Sequence, residues 1–153
     1  MPYFVTQKSI SYFDLELPVS HVRVDQIQHD IAVIDTAIFF IKSYGIGRND
    51  IISERQLRHE LGFNPRVHLP DLIFTKDGKK YCVEVELSMK AKSRLDKNIK
   101  DNYLKYDVQD WVIPQSKVKI MEYVERAKSK YPNIEVIPLE VVQEYVRNFK
   151  QKL

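Results

Sequence analysis

The stretch that most constrains this chain is His68–Lys90, HLPDLIFTKDGKKYCVEVELSMK. Leu69–Thr75 is apolar and β-prone, Lys76-Asp77-Gly78-Lys79 carries the Asp-Gly signal of a tight turn, and Lys80–Ser88 is a second β run. Two strands joined this way form an antiparallel hairpin. In the second run Tyr81, Val83, Val85 and Leu87 alternate with Cys82, Glu84, Glu86 and Ser88. Successive strand side chains point to opposite faces, so the apolar set shares one face and Glu84 and Glu86 share the other. Asp71, just after Pro70 on the partner strand, falls beside them. Three carboxylates at one place raise one another's pKa and resist joint ionisation. A divalent cation removes that conflict, and oxygen ligands suit Mg²⁺ or Mn²⁺. The expectation is metal-assisted chemistry on phosphate. The competing expectation is plainer: Glu84 and Glu86 on the solvated face of an edge strand, paired with nearby lysines.

Downstream of Ser88 the chain turns basic. Lys90, Lys92, Arg94, Lys97, Lys100 and Lys105 face only Asp96 and Asp101, while Ala91, Leu95, Ile99 and Tyr103 recur every four residues. This predicts a helix with one buried edge and a largely positive remainder. A positive helix beside an acidic metal site suits phosphodiester chemistry, because lysines hold the polyanion while carboxylates hold the metal. The alternative is a solubilising helix face.

The remaining segments supply the frame. From Val24 to Tyr44, Ile27, Ile31, Ile34, Ile38 and Ile41 recur at spacings of four and three, which predicts an amphipathic helix buried on that stripe and ended at Gly45. His29 and Asp30 lie off it and read as a solvated or capping pair, with a ligand role as the alternative. Asp50–Arg58 reads as a short strand leading into a helical turn capped by Ser53. Tyr106–Pro114 and Asn133–Pro138 read as strands. Gln115–Lys130 reads as a helix with Val118, Met121, Val124 and Ala127 inward, and Leu139–Lys150 as a closing helix. Strand–helix–strand order implies a crossover and parallel pairing, so an α/β fold with a mixed β-sheet flanked by helices follows. At 153 residues the chain is expected to form a single domain, residues 1–153.

Composition removes other classes. One cysteine forbids an internal disulfide framework, and no apolar run approaches the length of a membrane span, so a cytoplasmic protein without membrane contact is expected. The four histidines, His21, His29, His59 and His68, lack zinc-site spacing, and no phosphate-cradling glycine loop or Gly-x-Ser-x-Gly elbow occurs. Tyr3, Tyr12, Tyr103 and Tyr106 lack the companion histidine cluster of a tyrosine relaxase. The net charge of +3 permits nucleic-acid binding without arguing for it.

Pro70-Asp71, twelve residues, then Glu84-Val85-Glu86 resembles the PD-(D/E)xK nuclease signature, with Glu86 where lysine is usual and Lys90 as a migrated lysine. Tyr3–Thr6, His29–Asp35, Ile52–Arg58, Pro70-Asp71 and Val83–Ser88, taken in order, resemble the replication-relaxation proteins of plasmids and mobile elements. The resemblance implies a restriction-endonuclease-like core, with residues 1–17 as two short strands, a remnant of the wing of an upstream winged-helix domain. It implies DNA as partner, with other plasmid replication or transfer proteins alongside, and a Mg²⁺-dependent endonuclease or a catalytically inactive accessory module with the same fold. In the active form Asp71, Glu84 and the Val85 carbonyl hold the metal, helped by Glu54 or Glu60 from an early helix. Glu86 or Lys90 orients or deprotonates water, and Lys90, Lys92, Arg94 and Lys97 hold the DNA.

Overall fold

The computed structural model describes residues 24–62 and 67–150. The expectation for residues 1–17 lies outside the described residues.

The hairpin forms as its sequence dictates. Strands β2 (Leu72–Lys76) and β3 (Lys79–Val85) pair antiparallel, with Leu72 opposite Val83 and Phe74 opposite Tyr81. Asp77 at φ 50° and Gly78 at φ 77° make the two-residue turn. Both centres of such a turn must be left-handed, which Asp tolerates and Gly adopts freely. The strands are shorter at their outer ends than the apolar runs, because Pro70 has no N–H to offer the ladder.

Helix α1 (Val24–Ser43) precedes strand β1 (Ile52–Ser53), which pairs antiparallel with β2. Helix α2 (Glu54–Leu61) follows, and Ser53 and Gln56 close a capping box at its start. Helix α3 (Lys92–Lys105) crosses from β3 to strand β4 (Val108–Ile113), and helix α4 (Val118–Ala127) crosses to strand β5 (Ile134–Pro138). Helix α5 (Leu139–Lys150) closes the described chain. The five strands lie in sequence order, with β3, β4 and β5 parallel. Two successive crossovers of one hand, advancing in one direction, put their helices on one face.

Two cores result. On one face Ala32 and Phe40 of α1 and Val142 of α5 pack on Val83, Val85 and Val112. On the other, Leu95 and Ile99 of α3 and Ile120 and Val124 of α4 pack on Trp111, Ile113 and Ile134. The parity of β3 is as expected: Tyr81, Val83, Val85 and Leu87 all meet the first core, leaving Cys82, Glu84 and Glu86 toward α3.

Several face assignments need correcting. Ile31 and Ile34 are 54% and 58% exposed, whereas Ala32, Thr36 and Phe40 are buried. The isoleucine spacing marks the helix but not its inner side, where small Ala32 and Thr36 let α1 lie close to the sheet and Phe40 fills the space beyond. In α4 Ile120 and Val124 go inward while Val118 is exposed, and in α3 Tyr103 is exposed. β3 is an interior strand, so the solvated-edge expectation for its glutamates fails: Glu84 and Glu86 are 4% and 3% exposed.

Candidate functional site

A groove of about 500 Å³ opens where β2 begins and β3 ends, between α1, α2 and α3. Its polar walls come from five segments far apart in sequence. Asp71 lies just before β2, in the residue after the ladder-breaking proline. Its Oδ2 accepts the Val85 N–H at 2.7 Å, so the side chain extends the strand pairing that Pro70 ends. Its main-chain carbonyl accepts the Glu54 N–H at 2.9 Å, which ties the start of α2 to the same point.

Glu84 sits opposite, beneath α3. Its Oε1 accepts from Asn102 Nδ2 at 2.9 Å and lies 2.6 Å from His68 Nε2. Burial raises the Glu84 pKa, the nearby Asp71 charge adds to this, and the His68 and Asn102 hydrogen bonds oppose it. Glu86, next on the same face, has Lys90 Nζ 2.7 Å from its Oε2. That contact is an ion pair without hydrogen-bond alignment, since Oε2 has no hydrogen-bond partner among the described residues. Glu54 accepts from Arg58 Nε at 2.8 Å.

His29 is the residue that the pattern of α1 concealed. It stands three positions before Ala32, hence on the side of α1 that is actually buried. Its Nε2 lies 3.1 Å from the Val85 carbonyl, to which it donates, and 3.5 Å from Asp71 Oδ1. The Asp71 carboxylate lifts its pKa to about 9 against the opposing effect of burial. At neutral pH a charged imidazolium therefore sits between two oxygens at the end of β3. His29 Nδ1 also lies 3.8 Å from Asp30 Oδ1, so the expected pair forms with Asp30 exposed, but His29 itself is turned to Asp71 and Val85 rather than to solvent.

Asp71, Glu84, Glu86, Lys90, Glu54 and Arg94 all line the groove. Glu60 is exposed and does not. Lys92 and Lys97 lie on the outer side of α3, and Lys97 is paired with Asp101 at 2.7 Å. Sequence reasoning set His29 aside as a solvated residue and missed His68, Asn98 and Asn102. For the asparagines a signal was present, since Asn98 and Asn102 follow Leu95 and Ile99 at helical spacing and so border the buried edge. Each groove carboxylate has its own cationic or imidazole partner: Glu54 with Arg58, Asp71 with His29, Glu84 with His68, Glu86 with Lys90. Among the described residues no three His, Cys, Asp or Glu side chains stand together in metal-coordinating geometry.

A larger hollow of about 690 Å³, lined by Tyr81, Tyr106, Lys80 and Lys105, has no comparable set of carboxylates. Among the described residues no helix is long and apolar enough to cross a membrane. The chain matches no protein-family model, no curated protein and no solved structure.

Proposed function

We propose that this groove binds nucleic acid and hydrolyses its phosphodiesters as a PD-(D/E)xK-like site on a restriction-endonuclease-like core, in a protein of the replication-relaxation type. One observation carries the proposal. Four short pieces that bear the sequence resemblance, spread over residues 29–88, send His29, Glu54, Arg58, Asp71 and Glu84–Ser88 into one groove. The sheet order supports it too, since an antiparallel hairpin followed by a crossover puts the hairpin's acids under the basic helix α3.

The donor set fits a hard cation. Mg²⁺ is commonly held by one or two carboxylates with water completing its shell, so no cluster of three side chains is needed. Asp71 Oδ1, Glu84 and the Val85 carbonyl are the oxygens for Mg²⁺ or Mn²⁺, and His29 must move away from them. When bound, such an ion polarises the phosphodiester and stabilises charge that builds on phosphorus oxygens. The chain does the rest. Arg58 and Arg94 draw the backbone phosphate in, Glu86 takes the proton of the attacking water while the Lys90 ammonium orients it, and the P–O bond opposite that water breaks, the leaving oxygen taking a proton from solvent.

The test compares Asp71→Asn, which keeps an oxygen acceptor for the Val85 N–H, with Asp71→Ala. Both should fold, by circular dichroism, and both should lose Mg²⁺- or Mn²⁺-dependent cleavage of plasmid DNA by about a hundredfold or more. Cleavage at the wild-type rate in either variant overturns the assignment.

A second reading, a catalytically inactive DNA-binding accessory module, is favoured by the self-sufficient pairing of the four carboxylates. Calorimetry separates the two. Mn²⁺ binding that Asp71→Asn abolishes supports the hydrolase, and oligonucleotide binding indifferent to metal supports the module.

A further inference from the structure

Helix α3 turns Arg94 and Asn98 to the groove, four residues apart on a single face, with Asn102 one turn further along that face. Their situations differ. Asn102 spends its amide on Glu84. Arg94 is exposed at the rim, with no carboxylate in ion-pair range among the described residues, although every carboxylate of the groove is paired. Asn98 is 4% exposed and lines the groove, yet its side-chain NH₂ donates to no described residue. Asn102, one turn on, and Lys97, one residue before, both have partners.

The Asn98 amide atoms are not among the side-chain atoms sealed from solvent without a partner, so the NH₂ is held by groove water that a ligand oxygen can replace. We infer that Asn98 is a substrate-binding residue: its NH₂ donates to a non-bridging oxygen of a backbone phosphate, and the same phosphate is steadied by Arg94 one turn away. The inference rests on the nucleic-acid reading of the groove and deepens it. A phosphate fits better than a base edge because the stacked neighbour, Arg94, is a pure donor suited to anionic oxygens. Asn98 contributes no charge, so it can sit close to Glu84 and Glu86 where a further cation would be captured by them. It is a positioning residue for the strand, distinct from the acids beneath it.

Asn98→Ala provides the test, because a ligand-directed amide and a structural one respond with opposite signs. Truncating an amide without an internal partner leaves the melting temperature unchanged or raised, whereas truncating a structural amide lowers it. The variant should bind a fluorescent single-stranded DNA oligonucleotide about tenfold more weakly than wild type at low salt, as expected for one hydrogen bond to a charged acceptor. Arg94→Gln should weaken binding and reduce the slope of log affinity against log salt by about one. In wild type, the through-bond-assigned side-chain NH₂ resonance of Asn98 should shift when the oligonucleotide is added. A lowered melting temperature with unchanged affinity overturns the inference. If the variant both melts early and binds weakly, the wild-type resonance decides, and an unmoved Asn98 NH₂ at saturation overturns it. Wild-type protein that retains no oligonucleotide removes the nucleic-acid reading and this inference together, whereas retention with equal affinity in Asn98→Ala removes this inference alone.

Discussion

Asp110 lies in the middle of β4, between Val83 of β3 and Glu135 of β5, with its side chain turned to the same core as Val112. It is buried, and its Oδ2 has no hydrogen-bond partner among the described residues. Burial, with Glu135 adding its charge, lifts its pKa to about 7, and its own charge contributes to the raised pKa of Tyr44. A raised carboxyl pKa means that the fold favours the protonated form. Asp110 therefore opposes folding least below its unfolded pKa of about 4, and its cost grows as pH rises through about 7. Asp110→Asn, which is neutral at every pH, should be more stable than wild type at pH 8 by on the order of 2–4 kcal/mol, at 1.36 kcal/mol per pKa unit. At pH 4 the two should be alike. Urea midpoints at the two pH values measure this, and a gain that is the same at both would show that ionisation of Asp110 is not the cause. No pattern in the sequence marks Asp110 as buried: its strand is apolar on both faces, and an acid among such residues reads as one exposed position. Glu84 and Glu86 were legible because strand parity alone puts them together. His29, His68 and Asn98 were not, because their meeting depends on which side of a helix is buried and on where a loop runs.

The turn of the hairpin decides where those acids end up, and there the sequence was explicit. Asp77-Gly78 fixes a two-residue loop, the loop fixes the register, and the register sets Leu72 against Val83 and hence Asp71 at the level of Glu84. Gly78 has φ 77°, and a Cβ built on it would meet no atom within 4 Å. Any penalty of Gly78→Ala is therefore conformational: about 1–2 kcal/mol for a left-handed alanine, visible as a lower denaturant midpoint with unchanged m-value. A cost near zero would mean that the loop has changed type, and the acids with it. The helices were less legible. Periodicity located α1 and α5, but in α1 the bulkiest stripe was not the buried one. Packing against a sheet and a neighbouring helix selects a face by fit, and Ala32, Thr36 and Phe40 offer the closer approach.

At the scale of the molecule, β3 and β4 belong to both cores at once. Val83, Val85 and Val112 serve the layer of α1 and α5, while Cys82 and Trp111, on the reverse of the same strands, face α3 and α4. Neither layer can come away without exposing a face of the strands that the other needs. Residues buried in this way are expected to open only with the whole fold. The chain has one cysteine and one tryptophan, and they stand on adjacent strands: Cys82 and Trp111 are both 0% exposed. Burial pushes the Cys82 thiol pKa up, with Glu84 and Asp110 adding to the effect, so native thiol does not react on its own account. Labelling of Cys82 by an aromatic disulfide reagent across a urea series should therefore yield the same opening free energy as the unfolding curve followed by Trp111 fluorescence. Agreement within about 0.5 kcal/mol identifies β3–β4 as the last element to open. Labelling that needs distinctly less free energy would mean that α3 lifts from the sheet by itself. The groove, whose wall includes Asn98 and Arg94, would then be a part of the fold that opens before the rest.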